Sequence, residues 1–407
     1  MRRSQFVHAA GLRLGEPFRG VGRIPPHVRA ILADAPLAAW DELVDFCLQK
    51  DVSFLVVAGG ICGPSGITLA GRLRLQRGLK RLAEHGTRTF LALGPADAEI
   101  ARLLSDLRDS DVTVFPSDSP ATFRVDRRGE SVAFVCGQSA NGDREFQCAE
   151  FLTTATEDLP RIAVLPAGVE DLERHPEPLR RRASYWALGA ASDPSRRGFS
   201  PWTVECGTLQ ARASEPAERG PRGAMLVSLD GNRVLAVDHV PLDRVRFAQV
   251  SLAPSYALDD ALLLHQLMDE MNRLRATHSG RALVVDIVLQ SGTPAGGVAA
   301  NGEAHQLLAR LRDETAAWDP LVWCSSIRVE PTSRSSSARG NAPIAQAILQ
   351  ESRALLANPL HRSYFFAQHF DPLMRRCTSE LDTGDAEGLI AAATDLALQH
   401  AGEDRAD

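Results

Sequence analysis

The stretch Val52–Gly63, VSFLVVAGGICG, decides the fold. From Phe54 to Ala58 the run is wholly apolar, and it stops at Gly59 and Gly60. A short apolar run closed by glycine predicts a strand buried on both faces, as in a parallel sheet. On its amino-terminal side, Pro36–Lys50 spaces Leu37, Trp40, Leu43, Val44 and Cys47 as one face of a helix. Before that helix, Gln5–Ala10 is a short apolar strand. On the carboxy-terminal side, Leu69–His85 reads as a second helix and Thr87–Leu93 as the next strand, stopped by Gly94. Strand alternating with helix predicts an α/β layer sandwich.

Further along, the predicted strands are shorter, and several follow one another without a helix. They are Val112–Phe115, Thr122–Val125, Val132–Val135, Ile162–Leu165, Tyr185–Gly189, Trp202–Glu205 and Ala224–Leu229. Two packed mixed sheets flanked by helices fit this pattern. Near Pro241 the texture changes. Arg244–Leu252, Leu258–Thr277, Arg281–Leu289, Glu303–Thr315 and Leu321–Val329 read as β, α, β, α, β, a small domain over 241–331. The Ser-, Arg- and Gly-rich stretch PTSRSSSARGN ends this unit, with a linker at 332–341. Residues 342–407 then read as helical, with Tyr364, Phe365, Phe366 and Phe370 clustered between two helices.

Composition narrows the function. No apolar run is long enough to span a bilayer, and Arg13 interrupts the only apolar stretch near the amino terminus. The expected location is the cytoplasm. Seven cysteines stand singly without a Cys-x-x-Cys pair, the usage of a reducing compartment. A net charge of −6 makes the chain as a whole a poor magnet for nucleic acid, although local basic patches remain open to it.

Six blocks give a more specific reading: FVHAAGLRLGEPFRG (6–20), FLVVAGGICG (54–63), FLALGPAD (90–97), RIAVLPAGVED (161–171), YWALGAAS (185–192) and GPRGAMLV (220–227). In order and framework they resemble SbcD-type DNA repair exonucleases of the calcineurin-like metallophosphoesterase superfamily. The resemblance covers 1–240 most strongly. It implies a four-layer metallophosphoesterase-type β-sandwich, a small α/β cap at 241–331, and a C-terminal helical region at 342–407 that meets a coiled-coil ATPase. It further implies two manganese or magnesium ions, which in such enzymes stabilise the attacking and leaving oxygens of a phosphodiester.

The ligand positions depart from that family. Asp-x-His becomes Gly11-Leu12-Arg13, and Gly-Asp-x-x-Asp becomes Gly59-Gly60-Ile61-Cys62-Gly63. Gly-Asn-His-Asp becomes Gly94-Pro95-Ala96-Asp97, Pro166 takes a histidine's place, and Gly-His-x-His becomes Gly189-Ala190-Ala191-Ser192. The changed positions are thus Gly11, Arg13, Gly60, Gly63, Pro95, Ala96, Pro166, Ala190 and Ser192. Two supporting positions persist. His8 reads as a hydrogen-bonded core residue, and Asp97 as a cap for a helix beginning near Ala98. No metal or catalytic residue is therefore expected.

The expectation is a catalytically degenerate homologue acting as a structural or regulatory subunit, bound to an SbcC-type ATPase and acting with it on DNA ends in repair or defence. A homodimer is expected from the family, and Tyr364, Phe365, Phe366 and Phe370 suit a partner surface. One alternative is an active exonuclease whose metal site has moved to Asp97, Glu170, Asp171, His175 and Asp193. Another is a DNA-end-binding module that holds phosphates with Arg13, Arg19, Arg212 and Arg222, together with Arg23, Arg196 and Arg197.

Overall fold

The computed structural model describes residues 3–22, 24–64, 66–104, 111–142, 145–147, 150–151, 158–189, 191, 193–198, 201–252, 260–278, 280–291, 303–331 and 352. The chain divides into two compact units. The first comprises Met1–Ser251, Asp259–Val288 and Gly302–Arg328, and the second Leu252–Leu258, Leu289–Asn301 and Val329–Asp407. The expected linker, the C-terminal region apart from Ser352, and Tyr364, Phe365, Phe366 and Phe370 lie outside the described residues.

The first half alternates as the apolar runs require: β1 (Ser4–Ala9), α1 (Pro26–Gln49), β2 (Phe54–Ala58), α2 (Leu69–Glu84), β3 (Arg88–Ala92), α3 (Ala98–Leu103) and β4 (Val112–Val114). Strands β1 to β4 are parallel neighbours. A second sheet follows from β5 (Ala121–Arg127), β6 (Glu130–Gly137), β7 (Arg161–Leu165), β8 (Tyr185–Leu188), β9 (Ser195–Arg197) and β10 (Trp202–Glu205), in the order β5-β6-β7-β8-β10-β9. Between β7 and β8 lie two short helices, α4 (Val169–Glu173) and α5 (Glu177–Arg180). The chain then returns to the first sheet. Strands β11 (Gly223–Asp230) and β12 (Arg233–Pro241) add antiparallel on the open edge of β1, giving β12-β11-β1-β2-β3-β4.

Side-chain alternation explains why both faces of each sheet are apolar. Successive residues of a strand point to opposite faces. Phe54, Val56 and Ala58 of β2 enter the core between the sheets, where they meet Phe6, Phe90, Val164 and Tyr185. Leu55 and Val57 face the other way, into a core with Trp40 and Leu43 of α1 and Leu75 and Leu79 of α2. In the second sheet, Tyr185 and Ala187 point inward, while Trp186 and Leu188 pack with Leu172 of α4. The result is four layers: helices, sheet, sheet, helices. Phe6 stacks on Phe54 with ring centroids 4.7 Å apart and meets Tyr185 edge-on at 5.4 Å. Such pairs add about 0.5–1.5 kcal/mol each beyond the area they bury.

Besides β9, α4 and α5, which the sequence reading does not contain, two elements differ from it. Helix α1 begins at Pro26, not Pro36, and carries Pro36 in its interior. Interior proline costs roughly 3 kcal/mol, which is why the sequence suggests a start there. Burial of Val28, Leu32 and Ala35 on the same face offsets that cost. Strand β12 is absent from the sequence reading. As the edge strand it is only partly buried: of its apolar run Val234–Val237, Val237 is buried and Leu235 exposed. A further signal is the two-residue hairpin turn, Gly231-Asn232.

After β12 the chain forms a smaller sheet, β13 (Val245–Leu252), β14 (Ala282–Ser291) and β15 (Val322–Pro331), together with α6 (Asp260–Thr277) and α7 (Glu303–Thr315). Within the first unit, Val245, Phe247, Val284 and Trp323 share a core with Val21, Val28, Leu32 and Ala211. The change of texture read at 241 falls just ahead of β13.

Candidate functional site

Parallel strands place their carboxy-terminal loops side by side, and that edge is where α/β folds build sites. Here the degenerate blocks do come together. The Gly11 amide donates to the Gly59 carbonyl at 3.0 Å, and the Arg13 amide to the Gly60 carbonyl at 2.8 Å. Gly60 has a φ of +67°, and a Cβ added to it would lie 3.0 Å from the Gly11 Cα and 3.2 Å from the Gly11 nitrogen. A Cβ on Gly59 would meet Pro166, and one on Gly94 would approach the Gly60 nitrogen. Gly189, at the end of β8, could carry no side chain at all, because its Cβ would fall 1.5 Å from the Ala58 carbonyl oxygen. Gly63 is packed against Glu16 in the same cluster, while Pro95 and Ala96 are the exposed residues of a 3-10 turn, Pro95–Asp97. Ala190 and Ser192 are outside the described residues.

The loop after β1 is held by buried charge. Arg13, with a φ of +47°, pairs with Glu218 at 3.0 Å and with Glu16 at 3.6 Å. Behind it, the Arg212 side chain is wholly buried. Its guanidinium donates to the carbonyls of Leu12 at 3.1 Å, Arg13 at 2.9 Å and Gln210 at 3.3 Å, and its plane lies 5.5 Å from the Phe18 ring. Burial pushes its pKa down to about 9. Glu218 completes the cluster by accepting from the Arg212 and Ala213 amides. Arg222 is likewise buried and reaches Asp193 at 2.6 Å and the carbonyls of Ala217 and Arg219. Of the four arginines proposed from sequence for phosphate, only Arg19 presents an exposed side chain, and it lies 3.6 Å from Glu16. Arg23 is outside the described residues, whereas Arg196 and Arg197 lie on the edge strand β9.

His8 and Asp97 sit behind these loops. His8 is fully buried, with Nδ1 2.9 Å from the Tyr185 hydroxyl, and burial drives its pKa down to about 3. It is a neutral core imidazole. Asp97 is also buried, and burial raises its carboxyl above the usual range. The sequence reading makes it a cap for α3. Instead its carboxylate accepts from the Cys62 amide at 2.7 Å and from the Gly94 amide at 2.8 Å, and it makes no cap bond to α3. It reaches backwards because residues 95–97 form a 3-10 turn before the helix, so the orphan amides lie behind it. Asp97 therefore stitches the Gly60–Cys62 loop to the Gly94 loop.

The donors considered for a relocated site are dispersed. Asp171 accepts from the Gly168 amide at 3.2 Å and lies 3.4 Å from Arg174, while Asp193 is engaged by Arg222. Asp171 and His175 share a cavity of 380 Å³ with Pro95, Glu145, Phe146 and Pro166. Among the described residues, no three His, Cys, Asp or Glu side chains are placed to share one ion. Sequence reasoning missed Glu16, Glu218 and Gln210, which hold the site from loops with no periodic pattern. Gln210 clamps the first strand of the small sheet. Its Oε1 accepts from the Arg244 and Val245 amides at 2.8 and 3.1 Å, and its Nε2 donates to the Val245 carbonyl at 2.6 Å.

No family model matches the chain. It is 24% identical over 333 residues to YhaO of Bacillus subtilis strain 168, described as an uncharacterized metallophosphoesterase. The match covers 78% of this chain and 79% of that protein. The likeness is to a metallophosphoesterase. Matches among solved structures include a dimetal phosphatase from Danio rerio, at 9% identity and a TM-score of 0.37, covering 58% of this chain and 99% of that one. TT1561 of Thermus thermophilus is 11% identical with a TM-score of 0.34, over 51% and 91% of the two chains. No helix among the described residues is long and apolar enough to cross a membrane.

Proposed function

We propose that this chain is a metallophosphoesterase-like protein whose catalytic centre has been replaced by structure. In this reading it serves as a structural or regulatory subunit alongside an SbcC-type ATPase, acting on DNA ends in repair or defence. One observation carries the reading. Where the fold would aim carboxylates and imidazoles at a pair of ions, the position of a Gly60 side chain is crowded by the Gly11 backbone, and the neighbouring cation, Arg13, is paired internally. A cation repels a divalent metal, and glycine and proline give it no side-chain oxygen. These residues do not fit a dimetal centre. The retained strands, Asp97 stitch and Arg212 brace give the loops a role as scaffold. Partner contacts through 342–407, a homodimer and a cytoplasmic location belong to the same proposal, resting on the sequence.

Manganese titration into metal-stripped protein by calorimetry, with a nuclease assay on the same sample, tests it. The expected result is no binding heat and no cleavage. Micromolar binding with cleavage would overturn it in favour of the active exonuclease with a displaced site.

A further inference from the structure

The opposite end of the sandwich carries a concentration of positive charge. At the amino-terminal ends of the parallel strands, two cavities of 690 and 570 Å³ adjoin, with Asp158 and Leu159 in the walls of both. The first is lined by Arg3, Lys50, Arg127 and Arg128, with Asp51 and Glu130. The second is lined by Arg161, Arg181, Arg182 and Arg233, with Trp202 beside them. Together the walls hold eight basic residues against three acidic ones, on a chain whose net charge is −6. Positive charge has thus been gathered at one end of an acidic protein.

Two of the three acidic residues in the groove are already engaged. Asp51 takes Arg127 at 2.9 Å and Arg128 at 2.7 Å, and Asp158 accepts from Asn232 at 2.5 Å. Arg181 pairs with Glu177 across one turn of α5, where both side chains are exposed. Such a pair contributes little and yields readily to a better anion. Lys50, Arg128, Arg181 and Arg233 are all exposed. Their positions follow from topology: Lys50 ends α1, Arg128 turns between β5 and β6, and Arg233 opens β12.

We propose that this groove binds the phosphate backbone of single-stranded nucleic acid. The charges extend across both cavities, from the β5–β6 turn to the β11–β12 turn, which exceeds what one free phosphate can use. Seven of the eight cations are arginines, whose fork matches phosphate oxygens in pairs. Trp202, half-buried against the core between the sheets, also stands in the wall, and basic grooves with aromatic residues are how proteins hold flexible single strands without reading sequence. The site lies away from the degenerate loops, so it stands or falls independently of whether they bind metal.

Fluorescence anisotropy of a labelled oligothymidylate of about 20 nucleotides, with the full chain at about 50 and about 200 mM KCl, tests the proposal. The variant combining Lys50→Glu, Arg181→Glu and Arg233→Glu should bind at least about tenfold more weakly, with a salt slope smaller by about two. The milder variant combining Lys50→Ala, Arg181→Ala and Arg233→Ala should lose affinity in the same direction, with a native urea midpoint. Arg19→Glu, at the other end, should leave binding unchanged. Unaltered binding in the Ala variant, loss with Arg19→Glu, equal displacement by polyglutamate or by inorganic phosphate of matched charge, or no binding by the unmodified chain would each overturn it.

Discussion

At the carboxy-terminal ends of the parallel strands, Arg212 and Arg222 are turned inward and bound to carbonyl oxygens. At the amino-terminal ends, Arg181 and Arg233 line an open groove. The residue type is the same, and burial decides its work. A sunken guanidinium must satisfy its donors internally and becomes a strut between loops. An exposed one keeps its charge available to whatever arrives. A sequence count of arginines cannot separate these two uses, and neither can net charge.

The comparison can be broken by substituting one residue from each end. Arg212→Met should destabilise the fold by about 3–5 kcal/mol, because it strips the donors from the Leu12 and Arg13 carbonyls and leaves Glu218 with less compensation. A urea unfolding curve with an unchanged midpoint would show that the strut is dispensable. Restoring the family's carboxylate by Gly60→Asp should cost about 1–3 kcal/mol, given the positive φ and the close Gly11 backbone, and should confer no manganese binding. Recovery of metal affinity would mean that the loops open more easily than their packing indicates.

The buried His8 adds a pH dependence. Its folded-state pKa is near 3, against an ordinary value of 6.5. In unfolded chains the imidazole takes a proton as pH drops below about 6.5, while the folded one stays neutral. Stability from this residue is therefore intact above that pH and falls by about 1.4 kcal/mol per unit below it, until roughly pH 3. Urea midpoints measured from neutral pH downwards should show this decline, and His8→Gln should flatten it. The smallest effect belongs to the groove. Arg233→Ala should change stability by less than about 0.5 kcal/mol, as surface substitutions do. A large loss would place Arg233 among the struts.

Much of the architecture is legible in the sequence because apolar runs with glycine stops mark strands buried on both faces. Phe54–Ala58 and Tyr185–Leu188 are buried along their whole length. Strand β12 is not: it packs Val234 and Val237 on the core between the sheets but leaves Leu235 exposed. The location of the site is legible too. Residues as featureless as Gly11, Gly60 and Pro166 converge because β1 and β2 are parallel neighbours and β7, in the second sheet, brings Pro166 against Gly59. What holds the site is hidden. Arg212 and Glu218 look like surface residues in any window, and only contacts spanning about two hundred positions bury them. Asp97 shows a subtler miss: the residue is right, but a 3-10 turn reverses the direction in which it bonds.

The placement of β1 has a consequence for how the molecule is made. Its partner on one side, β2, begins at Phe54, but its partner on the other, β11, begins only at Gly223. During synthesis the first strand therefore waits with one row of amides and carbonyls unclaimed until more than half the chain has emerged. An open strand edge invites pairing with the wrong neighbour. Stalled nascent chains ending before Gly223 should be readily cut by protease within β1, and those extending past Asp230 should be resistant. If the shorter chains are already resistant, something other than β11 shelters that edge as it leaves the ribosome.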